Sequence, residues 1–191
     1  MRQRITAALT RRRLGGAVLL LAGICIAAIV LWPSGDDQPD PPKPLPIRIV
    51  SVPPLGLGFA HPRNWKRTVS GEVIRLTSPD NTLVLLFSSP FDRPGTGFAK
   101  QEARKALLKR FAPAKVVREG RSPLGRAGRV QSFEITGERK GGLVRALVHV
   151  SASQWRTYVV TMLTGENPSR RRVSEAHRIL DTVSFSKPRE I

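Results

Sequence analysis

The chain has 191 residues, room for one domain of ordinary size once an anchor and a linker are set aside. Its formal net charge is +18, and only five of its basic residues (Arg2, Arg4, Arg11, Arg12, Arg13) precede the first apolar stretch, so the excess is not confined to a targeting flank. The single cysteine, Cys25, excludes a disulfide framework and a thiolate metal cluster, and the scarcity of acids leaves few candidates for paired-carboxylate catalysis.

From Leu14 to Trp32 the residues LGGAVLLLAGICIAAIVLW carry no charge. As a helix rising about 1.5 Å per residue they nearly span a hydrocarbon core about 30 Å thick. The basic tail 1–13 ahead of them, and Asp36, Asp37 and Asp40 after them, predict a cytoplasmic N-terminus and an extracytoplasmic remainder. Two alternatives fit less well. A cleaved signal peptide has a shorter apolar region and a small-x-small site, and Leu31-Trp32-Pro33 offers neither. Leu21-Ala22-Gly23-Ile24-Cys25 is lipoprotein-like, but Ile24 separates the small residue from the cysteine, which a lipobox sets side by side.

Residues 33–54 (PSGDDQPDPPKPLPIRIVSVPP) read as a proline-rich linker of extended geometry, followed by a domain over 55–187 and a tail at 188–191. Strands are expected at 55–60, 72–77 and 82–88, the last almost continuously apolar and therefore interior. Between Gly97 and Ala112 the apolar residues Phe98, Ala103, Ala106, Leu107 and Phe111 recur at helical spacing, with Thr96 as cap and Pro113 as stop. Three strands follow at about 126–136, 143–151 and 156–163, joined by tight turns as in an antiparallel meander. Asn167-Pro168 opens a final helix to Leu180 with Val173, Ala176, Ile179 and Leu180 inward, and 182–185 is a closing strand. The order describes an α+β fold, an antiparallel sheet covered by two main helices.

Phe59-Ala60-His61-Pro62 with Trp65, then Glu134-Ile135-Thr136, Tyr158-Val159-Val160-Thr161, and Ile179 through Phe185, occur in an order that resembles PsbP-like domains, in particular actinobacterial LpqN-type exported proteins. The similarity spans about 57–186. It implies a fold and an accessory or binding role without a shared active site. Many LpqN-type proteins are lipid-anchored, and the interrupted lipobox departs from that pattern.

Direct signs of catalysis are few. His61, His149 and His177 lack partners at metal-ligand spacing and read as ordinary surface or core-edge residues. No G-x-S-x-G is present, Gly56-Leu57-Gly58 lacks a third glycine, and 120–128 lacks the P-loop lysine. Trp65, Trp155 and Tyr158 read as core or sheet-edge residues, Trp155 the most exposed. The candidate anionic-ligand residues are Lys100, Arg104, Lys105 and Lys109 on the first helix, with Arg110 beside them, and Arg170, Arg171 and Arg172 at the start of the last. The arginine triplet opposes its helix dipole, so a partner would explain it, and both faces would merge if the helices covered one side of the sheet.

The leading expectation is a non-enzymatic, membrane-anchored binding or accessory domain at the bacterial cell envelope. It would recognise an anionic wall polymer, a lipid headgroup or another envelope protein; no cofactor, no metal and no nucleic acid is expected. The rival of another class is a small envelope hydrolase or transferase whose residues converge only in space. A purely structural interaction domain is a third reading, whose binding would survive high salt.

Overall fold

A computed structural model describes residues 46–91, 95–139 and 142–189. The basic tail, the apolar segment 14–32 and the linker up to residue 45 lie outside them. Among the described residues no helix is long and apolar enough to cross a membrane.

The chain forms β1 (Ile47–Val52), β2 (Leu57–Pro62), β3 (Lys66–Ser70), β4 (Val73–Thr77) and β5 (Leu83–Phe91), then α1 (Thr96–Arg110). It continues with β6 (Ala114–Pro123), β7 (Arg129–Arg139), β8 (Gly142–Ala152), β9 (Thr157–Thr164), α2 (Arg170–Asp181) and β10 (Ser184–Phe185). Seven strands make one antiparallel sheet in the order β3-β4-β5-β9-β8-β7-β6, and a smaller sheet has the order β1-β2-β10. The α+β expectation holds, with two antiparallel sheets in place of one. Thr157–Thr164 lies at the centre of the large sheet and is buried along nearly its whole length, Tyr158, Val159, Val160, Met162 and Leu163 alternating with buried or half-buried neighbours on both faces.

Alternation along the strands separates two cores. Ile74, Leu76, Leu85, Phe87, Val160 and Met162 project from one face and meet Val50, Leu57 and Phe59 of the small sheet together with Ala176, Ile179 and Leu180 of α2. Phe59 and Phe87 stack across this layer at 4.5 Å. Phe133, Ile135, Ala146, Val148, Val150 and Val159 project from the opposite face and pack under α1 through Ala99, Ala103 and Leu107. The two α-helices therefore cover opposite faces of the large sheet.

Several boundaries differ from the expectation. Ile47–Val52, read as linker, is β1: its β-branched residues pair with β2, and Val50 is buried. At the other end Arg189 donates its backbone N–H to the Pro53 carbonyl, so the predicted tail packs on the domain as far as residue 189. β3 and β6 are strands beyond those the sequence predicts. They are the two edges of the large sheet, mostly exposed and rich in Lys and Arg, so no alternation marks them. Gly95, not Thr96, caps α1, and Thr96 Oγ1 instead accepts from Gln131 Nε2 at 3.2 Å. Ser169 caps α2, its Oγ accepting the Arg172 backbone N–H. Phe98 is 54% exposed and its neighbour Ala99 takes the buried position.

Candidate functional site

Because α1 and α2 lie on opposite faces, the seven predicted cations do not form one surface. Lys100 Nζ and Arg104 Nη1 reach Glu119 on β6 at 2.9 and 2.8 Å, closing α1 onto the sheet edge. The Lys100 hydrogen bond is the chief cause of the lowered Glu119 pKa. Lys105 and Lys109 are exposed, and among the described residues neither has a carboxylate partner.

The arginine triplet has a structural task. Arg172 donates from Nη1 to Glu175 Oε2 at 2.7 Å and from Nε to Asp80 Oδ2 at 3.2 Å, while Arg171 Nε meets Glu175 Oε1 at 3.0 Å. Trp65 Nε1 adds a third donor to the buried Glu175. Asp80 lies in the β4–β5 turn, where Ser78 Oγ donates to it at 2.6 Å; this bond above all holds its pKa well below the usual carboxylate range. Arg172 thus ties α2 to the β4–β5 turn while Arg171 braces Glu175 within the helix, and of the triplet only Arg170 projects without a carboxylate partner among the described residues. Local charge counting missed this because the acids concerned are distant in sequence or contribute to the helix itself.

A groove of about 350 Å³ opens beside α1. Glu102, Ala103, Ala106 and Leu107 form its helical wall, and Ser88 and Pro90 of β5 with Val159 and Thr161 of β9 form its floor. The floor exists because α1 packs over β6 to β9 and stops short of β5. On α1, Lys105 and Lys109 stand one residue before and three after Ala106, so they flank this wall, whereas Lys100 and Arg104 turn to β6. Glu102 is the acid on the same wall and offsets part of that charge. The sequence signals were a proline within a strand and two small residues on the helix, neither sufficient alone.

Of the histidines read as surface or core-edge residues, His61 and His149 are buried. His61 Nδ1 lies 2.8 Å from the Pro62 carbonyl, and burial is the main cause of its lowered pKa. His149 Nδ1 lies 2.9 Å from Ser122 Oγ, and Nε2 of each ring has no hydrogen-bond partner among the described residues. The Ser122–His149 pair resembles a nucleophile with its base. Burial, with the His177 charge second, brings the His149 pKa down to about 4. A base that weak extracts a hydroxyl proton poorly, and no carboxylate orients the ring through Nε2. Among the described residues no group of three His, Cys, Asp or Glu is placed to hold a metal. Trp65 and Tyr158 are core residues, the Tyr158 hydroxyl donating to the Leu55 carbonyl at 2.8 Å, and Trp155 is half-buried.

No family model matches the chain, and no curated protein is similar to it. Among solved structures it is similar to a protein from Bacteroides thetaiotaomicron VPI-5482, with 15% identity and a TM-score of 0.50 over 73% of this chain. The chain spans about half of that protein, 48% of its length. A second similar structure is the cyanobacterial PsbP (CyanoP) from Synechocystis sp. PCC 6803, with 11% identity and a TM-score of 0.48, covering 73% of this chain and 92% of that one. Likeness at this level of identity concerns the fold alone.

Proposed function

We propose that the protein is a non-enzymatic binding module of the bacterial cell envelope, tethered by the apolar segment 14–32 with its domain outside the cytoplasm. Its ligand is amphiphilic and anionic: an apolar part fills the groove beside α1, and an acidic head meets Lys105 and Lys109. The observation that carries this reading is an open apolar groove whose helical wall is flanked by two lysines without carboxylate partners among the described residues. The order of motifs resembling LpqN-type exported proteins and the basic surplus of the chain are consistent with it.

A photoreactive fatty acid offered to the full chain in phosphatidylcholine nanodiscs, followed by peptide mapping, tests it. Crosslinks on 96–110 and 157–164 that disappear in Ala106→Trp, which fills the groove from an exposed position, are expected. Crosslinks elsewhere, or undiminished by that substitution, refute the reading.

The hydrolase or transferase reading has one specific place to stand, the Ser122–His149 pair. A fluorophosphonate probe that labels Ser122 and loses that label in His149→Gln would favour it over the binding module.

A further inference from the structure

The outer face of the small sheet is apolar and uncovered by any described element. Val50 points into the core, so its neighbours Ile47, Ile49 and Ser51 point away, and Ile47 and Ile49 are 61% and 80% exposed. Across the ladder they pair with Pro62 and Ala60, which continue the apolar face onto β2. Single exposed aliphatic residues are common, but two on one strand face with apolar partners opposite form a patch.

Basic residues outnumber acids in the segments that border the patch. Between Asp40 and Glu72 there is no acid, and Arg48, Arg63, Lys66 and Arg67 fall in that stretch. Lys187 and Arg189 follow β10, and Asp181 precedes Thr182, whose hydroxyl meets the Ala60 backbone. Arg63 is exposed at the end of the sheet where its backbone N–H bonds to the Pro46 carbonyl, and Arg48 is exposed at the same end on the Val50 side of β1. A second copy of the chain would bring like charges together, whereas an anionic surface would complement them.

The position in the chain points the same way. Fourteen residues separate Trp32 from β1, and even a fully extended connection of that length reaches only about 50 Å. The strand that carries the exposed isoleucines is thus the first described element after the tether.

We propose that the outer face of β1-β2-β10 docks on the surface of an anionic lipid bilayer, Ile47 and Ile49 entering the interface while Arg63 meets a lipid phosphate. The distance argument rests on the reading of 14–32 as a membrane anchor; the patch and its charge do not. Docking would hold the domain in one orientation on the membrane.

The full chain with Cys25→Ser and Ser51→Cys, its one introduced thiol labelled with an environment-sensitive fluorophore, serves as the reporter. It is reconstituted in phosphatidylcholine vesicles and in vesicles mixed with phosphatidylglycerol, and quenched from the aqueous phase. Several-fold protection in the phosphatidylglycerol vesicles, lost in Ile47→Ser/Ile49→Ser and in Arg63→Glu, is expected. Equal quenching in the two vesicle types overturns the proposal. So does protection that survives loss of the isoleucines, or protection that rises with protein concentration irrespective of lipid, which marks self-association. Co-flotation with pure phosphatidylcholine vesicles reports the tether separately, so a failed anchor and a failed docking face are told apart.

Discussion

Trp65 and Glu175, 110 residues apart in the chain, meet in the core, where the indole Nε1–H donates to Glu175 Oε2 at 3.0 Å. Arg172 and Arg171 complete the set of donors around a carboxylate that is almost wholly removed from solvent. Burial pushes this carboxyl pKa up, and the bonds from Trp65, Arg172 and Arg171 outweigh it, leaving the pKa below the ordinary value of 4.5. A depressed acid stabilises the fold above its unfolded pKa, so this contribution is lost as pH falls below about 4.5. Glu175→Ala should cost roughly 3 kcal/mol in urea unfolding at neutral pH, because three donors lose their acceptor. Trp65→Phe should cost less, since two of the three bonds survive.

Arg172 connects α2 to the β4–β5 turn through Asp80 as well as to Glu175. Arg172→Ala should therefore lower stability by about 2 kcal/mol or more, since it strands part of a buried network. Arg170→Ala, at an exposed position, should change stability by less than about 0.5 kcal/mol. Thermal unfolding of the two variants side by side checks this, and equal midpoints would show that the triplet acts as a surface patch after all.

His149 is buried and neutral, with its pKa brought down to about 4. Protons bind the unfolded chain more readily than the folded one, so stability is full above about pH 6.5 and declines as pH falls to about 4. The loss attributable to this ring is roughly 3 kcal/mol. His61 is depressed in the same direction and adds to the slope. His149→Gln should flatten much of the stability difference between pH 7 and pH 4.5, measured by urea unfolding. An unchanged slope would mean that the ring is hydrated.

Gly125 has φ +47°, and a Cβ there would strike the Val183 backbone between α2 and β10. Gly125→Ala combines left-handed strain with a clash that rigid backbone cannot relieve, so it should cost roughly 2 kcal/mol or more. Gly71, with φ +54°, has open space around it, and Gly71→Ala should cost only about 1 kcal/mol. Equal losses in denaturant midpoint would remove the close approach of Val183 as the cause.

A near-continuous apolar run made β5 legible, tight turns marked out β8 and β9, and helical spacing of apolar residues showed the two helices. β3 and β6 escaped because an edge strand buries little and is protected by charge, which resembles a loop when read in sequence. β1 was masked by the prolines on either side of it.

By itself the sequence determined the α+β pattern, the interior strands and the surplus of cations. Only the tertiary structure decided which cations remain available. Strands buried on both faces give the same pattern whichever face a helix covers, so nothing local says that α1 and α2 take opposite sides of the sheet. That choice brings Glu119 to Lys100 and Arg104 and Asp80 to Arg172, across 15 to 92 residues of chain, and leaves Lys105 and Lys109 beside the groove. Coulomb attraction acts through space, and the separation that governs it is known only after the chain has folded.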